Sequence, residues 1–201
     1  MPCPGLSGRR RGCGKNGIPA ICRSGGIIGR LAEHDSYIIC TSPRSGSTLL
    51  CKLLASTGVA GKPDSHFHEP SLERWLDYYD LRPDPAVSKK QRLSMIFAAA
   101  ISEGSADTGI FGLRLQRHSF AFFMKQLAVL HPESDGEYGR FQAAFGRTLF
   151  VHLTRTDKVA QAVSYVKAQQ TGLWHMAPDG TELERLAPPK DPVYDLSLIH
   201  I

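Results

Sequence analysis

Eight consecutive residues, Thr41-Ser42-Pro43-Arg44-Ser45-Gly46-Ser47-Thr48, concentrate hydroxyls, one guanidinium and one glycine. That set suits an oxyanion. Ser45, Ser47 and Thr48 supply hydroxyl donors, and Arg44 supplies a charged fork matched to phosphate oxygens. Gly46 lets backbone come close to a ligand. The run stands between Tyr37-Ile38-Ile39-Cys40, which is continuously apolar, and Leu49, Leu50, Leu53 and Leu54, which recur at helical spacing before Gly58. The reading is therefore strand, loop, helix, with the unsatisfied N–H groups and positive dipole end of the helix turned toward the loop. A nucleotide triphosphatase would carry G-x-x-x-x-G-K-[ST]. This loop is shorter and has no such lysine. The chemistry points to a 5′-phosphate or phosphosulfate held without Walker-type magnesium. A P-loop-like nucleotide kinase or NTPase is the competing enzyme reading, and a plain capped turn the structural one.

A second constellation is Thr154-Arg155-Thr156-Asp157, with Ser164 nine residues after Arg155. It follows the apolar stretch Thr148 to Leu153, so Arg155 stands beyond the carboxyl end of a strand, where open α/β sheets bind ligands. Taken alone, a surface arginine and a solvated helix serine explain it as well.

Three strands are expected to position these groups: Tyr37–Cys40, Ile110–Leu115 and Thr148–Leu153. Between them lie helical patterns. One carries Leu72, Trp75, Leu76 and Tyr79, and a second spans 88–103 on Leu93, Ile96, Phe97 and Ala100. A third carries Phe120, Phe123, Met124, Leu127 and Leu130. A final helix presents Val159, Ala162, Val163 and Val166 on one face, and the proline-rich residues 176–193 read as a loop or linker. Alternating strands and helices imply an α/β fold, a parallel sheet flanked by helices on both sides.

Composition sets the outer bounds. With 42% hydrophobic and 21% charged residues, the chain can build one domain with a sizeable core. Residues 1–35 hold six of the basic side chains against two acids, so the remainder carries 18 basic and 17 acidic groups, a net of +1. Such a body offers no general surface for nucleic acid. Residues 1–35 also hold eight of the 19 glycines and show no hydrophobic period, and are expected to be a disordered or mistranslated leader. The last six residues, Leu-Ser-Leu-Ile-His-Ile, read as the translated end of a sequencing-library transposon. Residues 196–201 are thus expected to be a non-native tail, and the native chain to continue differently after Asp195.

Five cysteines leave one over in any disulfide scheme, and Cys3, Cys13 and Cys22 match no common zinc spacing. Cys40 and Cys51 fall on apolar positions as small buried hydrophobes. With no apolar run near the roughly 20 residues of a membrane span, a cytoplasmic protein is expected.

Both constellations together resemble the bacterial family of PAPS-dependent sulfotransferases typified by the mycobacterial trehalose 2-sulfotransferase, PAPS being 3′-phosphoadenosine 5′-phosphosulfate. The likeness runs over residues 36–195. It rests on Ser42–Leu50, Thr57–Gly61 with Pro63, Gly112 to Leu115, and the pattern Arg155, Asp157, Val159, Gln161–Ser164, Gln170–Gly172, Trp174. The resemblance implies a P-loop-like sulfotransferase fold, here incomplete at its C-terminus. It further implies that Arg44, Ser45, Gly46, Ser47 and Thr48 hold the 5′ side of PAPS, and that Arg155 and Ser164 hold its 3′-phosphate. The reaction implied is in-line transfer of a sulfuryl group to a hydroxyl of a small-molecule or carbohydrate acceptor, with PAPS as co-substrate and no metal. An inactive truncated fragment is the remaining alternative.

A base must take the acceptor's proton. The family places a glutamate where this chain has Ser65, so the candidates become His68 or Glu69, with Asp64 and His66 nearby. An extended segment would put Ser65, Phe67 and Glu69 on one face and His66 and His68 on the other. Arg114 alternates with Leu113 and Leu115 and could reach the sulfate, while Trp174 and His175 could line the acceptor side. Oligomeric state stays open, a homodimer of the full-length protein included.

Overall fold

The computed structural model describes residues 33–177 and 179–193. Most of the expected leader, the expected tail at 196–201, and Cys3, Cys13 and Cys22 lie outside the described residues. Asp35 lies inside them, although it falls on the leader side of the boundary at residue 35. Its backbone carbonyl accepts from the Phe111 N–H at 3.2 Å, and its carboxylate grips the Arg147 guanidinium through two contacts of 3.1 Å.

Three parallel strands form the sheet: β1 (Ser36–Thr41), β2 (Phe111–Gln116) and β3 (Thr148–Leu153), in the order β2-β1-β3. The register aligns Thr41 with Gln116 on one side and with Leu153 on the other. All three carboxyl ends therefore stop at one level. The segments that leave them, Ser42–Gly46, Arg117 onward and Thr154–Asp157, gather at a single edge. Open α/β sheets bind ligands at that edge.

Ile38 and Ile39 point to opposite faces by strand alternation, and both are 0% exposed, so the central strand is covered on both sides. On the Ile38 side the core joins Phe111, Leu113 and Leu115 to α3 (Lys89–Ser105) and α4 (Arg117–Leu130) through Leu93, Ile96, Phe97, Phe123 and Leu127. Phe67 enters this core from a loop, 4.6 Å from Phe97 and 5.0 Å from both Trp75 and Phe123 between ring centroids. Trp75 belongs to α2 (Leu72–Tyr78), capped by Ser71, whose hydroxyl accepts from the Arg74 N–H. A full capping box of Ser88 and Gln91 starts α3. The helix following β1, α1 (Ser47–Ser56), starts at Gly46 with no side-chain cap.

Four sequence expectations need correction. Residues 136–145 form a helix, α5, that the sequence reading left out. Its residues packed on the core are few, Phe141, Ala144 and Phe145, and its two glycines, Gly136 and Gly139, disguise the period. Residues 176–193 are not simply a linker: β4 (Leu173–Met176) pairs antiparallel with β5 (Glu182–Arg185) as a two-stranded ribbon. On α6 (Lys158–Thr171) the valine face is outward, with Val159 75% and Val163 50% exposed, while Gln161 and Ala168 are the buried residues. The fourth correction concerns 64–69. The His68 N–H closes a turn onto the Ser65 carbonyl at 3.1 Å, so the extended alternation does not hold. His66 and Phe67 both turn inward at 1% exposure, and His68 and Glu69 both stay outside.

Cys51 is buried and Cys40 half-buried, both as free thiols, and burial pushes Cys51 up to about 11. No helix among the described residues is long and apolar enough to cross a membrane.

Candidate active site

Arg44 takes the left-handed conformation at φ 63, and Gly46 does the same at φ 89. Two such residues within three coil the chain tightly between β1 and α1. A Cβ built on Gly46 would meet nothing within 4 Å, so the glycine answers to the backbone angle and to whatever enters the loop. With no side chain capping α1 and no acid in its first turn, the first-turn N–H groups remain available to an anion.

Around this loop opens a cleft of about 1000 Å³. Arg44, Gly46, Ser47 and Thr48 line it from the donor side. Ser45 does not, because its hydroxyl turns back to Thr41 Oγ1 at 2.5 Å. Arg155 and Ser164 line the same cleft, so the two constellations, more than 100 residues apart, meet in one space. The Arg44 Nε–H donates to Ser164 Oγ at 2.9 Å, and its Nη1 donates to the Trp174 carbonyl. Arg155 is exposed. Among the described residues neither Arg44 nor Arg155 has a carboxylate partner.

The sequence reading missed the clamp that sets this loop. The Gln161 side-chain amide, 8% exposed, donates to Ser42 Oγ at 3.0 Å and to the Pro43 carbonyl at 2.8 Å. The available signal was its place one helical turn before Ser164, on the same face of α6.

Opposite the loop, the turn at 64–69 contributes Asp64, Ser65, His68 and Glu69 to the cleft wall. His66 also borders the cleft but is 1% exposed. Its Nδ1 meets the Tyr79 hydroxyl at 3.1 Å and its Nε2 the Lys62 carbonyl at 3.3 Å, so it is a satisfied core histidine. Burial holds its pKa down. His68 packs edge-on against His118, a residue the sequence reading did not single out, with centroids 5.1 Å apart. Partial withdrawal from water, then the neighbouring His118 and Arg114, hold the His68 pKa below the ordinary histidine value. Glu69 instead pairs with Arg74 at 3.1 Å, both side chains more than half exposed at the rim.

Arg114 crosses the cleft between its two walls. Its Nη1 donates to Thr48 Oγ1 at 2.6 Å, its Nε to Ser65 Oγ at 2.7 Å, and its Nη2 approaches Asp64 Oδ1 at 3.4 Å. The β4–β5 ribbon closes one end. His175 Nε2 lies 3.2 Å from Thr48 Oγ1 and 3.2 Å from Glu184 Oε2. Burial pulls the His175 pKa down, while Glu184 opposes it. Trp174 stands over Tyr165 at 5.8 Å in the same wall.

An uncapped helix start, two arginines without counter-carboxylates among the described residues and an imidazole whose pKa is held down suit the binding of an anion and the removal of a proton. Similarity to known proteins agrees. The chain is 31% identical to a trehalose 2-sulfotransferase of Mycobacterium tuberculosis, over 71% of this chain and 60% of that protein. It is 30% identical to the trehalose 2-sulfotransferase of Mycolicibacterium smegmatis, over 74% of this chain and 62% of that one. The chain thus spans about 60% of the length of these curated relatives. The sequence profile of the Stf0 sulphotransferase family matches residues 36–201, and the chain belongs to that family.

Proposed function

We propose that this protein takes PAPS as donor and moves its sulfuryl group to a hydroxyl of a carbohydrate or glycolipid-type acceptor. The observation that carries the reading is the meeting of the uncapped α1 start with Arg44, Arg155 and Ser164 in one cleft. An adenosine bisphosphate carries two separate anionic groups, and two arginines, Arg44 and Arg155, line the cleft. The helix start, Gly46, Ser47, Thr48 and Arg44 serve the 5′ side, and Arg155 with Ser164 serves the 3′-phosphate. The missing P-loop lysine argues against a nucleotide triphosphatase.

His68 is the base in this reading. It lines the cleft, and its depressed pKa keeps it neutral and able to accept a proton near pH 7. Glu69, held by Arg74 at the rim, is the weaker candidate. As His68 takes the proton, the acceptor oxygen bonds to sulfur and the bond from sulfur to the bridging phosphate oxygen breaks. PAP leaves with that electron pair. The protein's contribution is chiefly position and fixed charge.

Trehalose is the acceptor named for the two relatives, and it heads the panel of sugars to be tried here. Trp174 of β4 and Tyr165 of α6, packed edge-to-face on each other, line the cleft and give such a ligand an aromatic neighbour. Titration with PAP and with ATP tests the donor assignment. Assays with labelled PAPS of the full-length gene product beside this chain separate an active enzyme from an inactive fragment.

A further inference from the structure

We propose that Arg114 is a catalytic residue whose guanidinium contacts the transferring sulfuryl group. The inference rests on the PAPS reading above and deepens it.

Arg114 sits near the carboxyl end of β2, its side chain only 13% exposed, and it lines the cleft. Withdrawing a guanidinium from water is costly unless its N–H groups are satisfied and its charge is balanced. Two of its three partners, Thr48 and Ser65, are neutral hydroxyls. The third, Asp64, lies at 3.4 Å and is itself half exposed. The positive charge is therefore only partly balanced, and it faces the cleft.

Its partners define the location. Thr48 belongs to the first turn of α1, where the 5′ anion of the donor is held. Ser65 and Asp64 belong to the turn that carries His68. A group bonded to both walls marks the boundary between donor and acceptor, which the sulfuryl group must cross. During in-line transfer the new bond to the acceptor oxygen forms as the bond to the bridging phosphate oxygen breaks, and negative charge builds at the sulfuryl and bridging oxygens. Arg114 exchanges no proton in this step. Its work is to donate to those oxygens from a fixed position. Thr48 and Ser65 hold the fork in place beforehand, so little reorganisation is needed.

The product PAP lacks the sulfuryl group, which makes the role separable from simple support of the loop. Arg114→Met is expected to bind PAP within about threefold of wild type, and to bind PAPS at least about tenfold more weakly, the size of a lost charge-assisted contact. Turnover of the full-length protein is expected to fall about 10²–10³-fold. Arg114→Lys keeps the charge without the fork and should recover part of both losses. Should the Met variant lose its folded circular dichroism, the Lys variant carries the same PAP-to-PAPS comparison. Parallel loss of PAP and PAPS affinity would overturn the inference and make Arg114 a support for Thr48. Unchanged PAPS binding and turnover would overturn it as well. Wild-type protein that binds neither nucleotide defeats the donor reading itself, a distinct result, and the inference falls with it.

Discussion

Arg44 and Ser164 stand 120 positions apart in the chain and are joined by a hydrogen bond of 2.9 Å from Nε to Oγ. The loop after the first strand and the helix after the third are thereby fixed to each other at the cleft. In the proposed function both residues contact the donor nucleotide, so both should be felt in its binding.

Arg44→Ala should weaken PAP by about 1.5–3 kcal/mol, roughly 10- to 150-fold in Kd. Ser164→Ala removes a neutral partner and should cost only about 0.5–1.5 kcal/mol. Isothermal titration calorimetry measures both. An Arg44→Ala affinity within about twofold of wild type would take the loop out of the account.

Arg155→Ala should discriminate between ligands. Its exposed guanidinium, without a carboxylate partner among the described residues, is assigned to the 3′-phosphate. The loss should be about tenfold or more with PAP and near zero with adenosine 5′-phosphosulfate, which lacks that group. Equal losses with both ligands would remove the assignment.

His68→Asn should lower turnover about 10²–10⁴-fold in the full-length protein while leaving PAP affinity intact. Glu69→Gln should turn over close to wild type, since its carboxylate is engaged by Arg74. The pH dependence has a definite sign. Partial withdrawal from water, then His118 and Arg114, disfavour the imidazolium, so the proton-accepting form persists below the unperturbed ~6.5. Turnover should hold through neutral pH and fall only at a pH below that value. By the same linkage, whatever stability His68 contributes is present above ~6.5 and is lost as pH falls through its lowered pKa. Labelled PAPS and a sugar or glycolipid panel provide the assay. If Glu69→Gln loses turnover and His68→Asn does not, the base is Glu69. If both retain it, Asp64 is next.

Gly61→Ala should destabilise the fold markedly. At φ 69, a Cβ there would stand 2.5 Å from the Gly104 carbonyl oxygen and nearer still to that of Ile110. The left-handed backbone alone costs about 1–2 kcal/mol for a side-chain residue, and the backbone clash adds to it. Because Gly61 begins the segment that carries Asp64, Ser65 and His68, thermal melting should show a lower midpoint and turnover should fall with it. An unchanged midpoint would show that the 61–69 segment shifts freely.

Much of this was legible in the sequence because the signals were physical and local. The apolar run Tyr37–Cys40 could hardly be anything but a buried strand, and the hydroxyl-rich loop after it had only one sheet edge to occupy. The helices α3 and α4 followed from their periods. What stayed hidden depended on tertiary contacts. The turn at 64–69 is set by Phe67 and His66 both entering the core, which overrides simple alternation. The β5 strand, Glu-Leu-Glu-Arg, is mostly charged and is held by pairing with β4 rather than by burial. Alternation along β2 already turned Arg114 toward a possible sulfate, but its contacts with Thr48, Ser65 and Asp64 arise only in the fold.

The central claim is a site for an adenosine nucleotide bearing a 3′-phosphate and a 5′ anion, without magnesium-triphosphate chemistry. Calorimetric titration of the chain with PAP, beside ATP with and without magnesium, tests it most directly. The account predicts saturable PAP binding, at least about tenfold weaker binding of ATP, and no gain from magnesium. ATP binding as tight as PAP and strengthened by magnesium, or no binding of PAP at all, would contradict it.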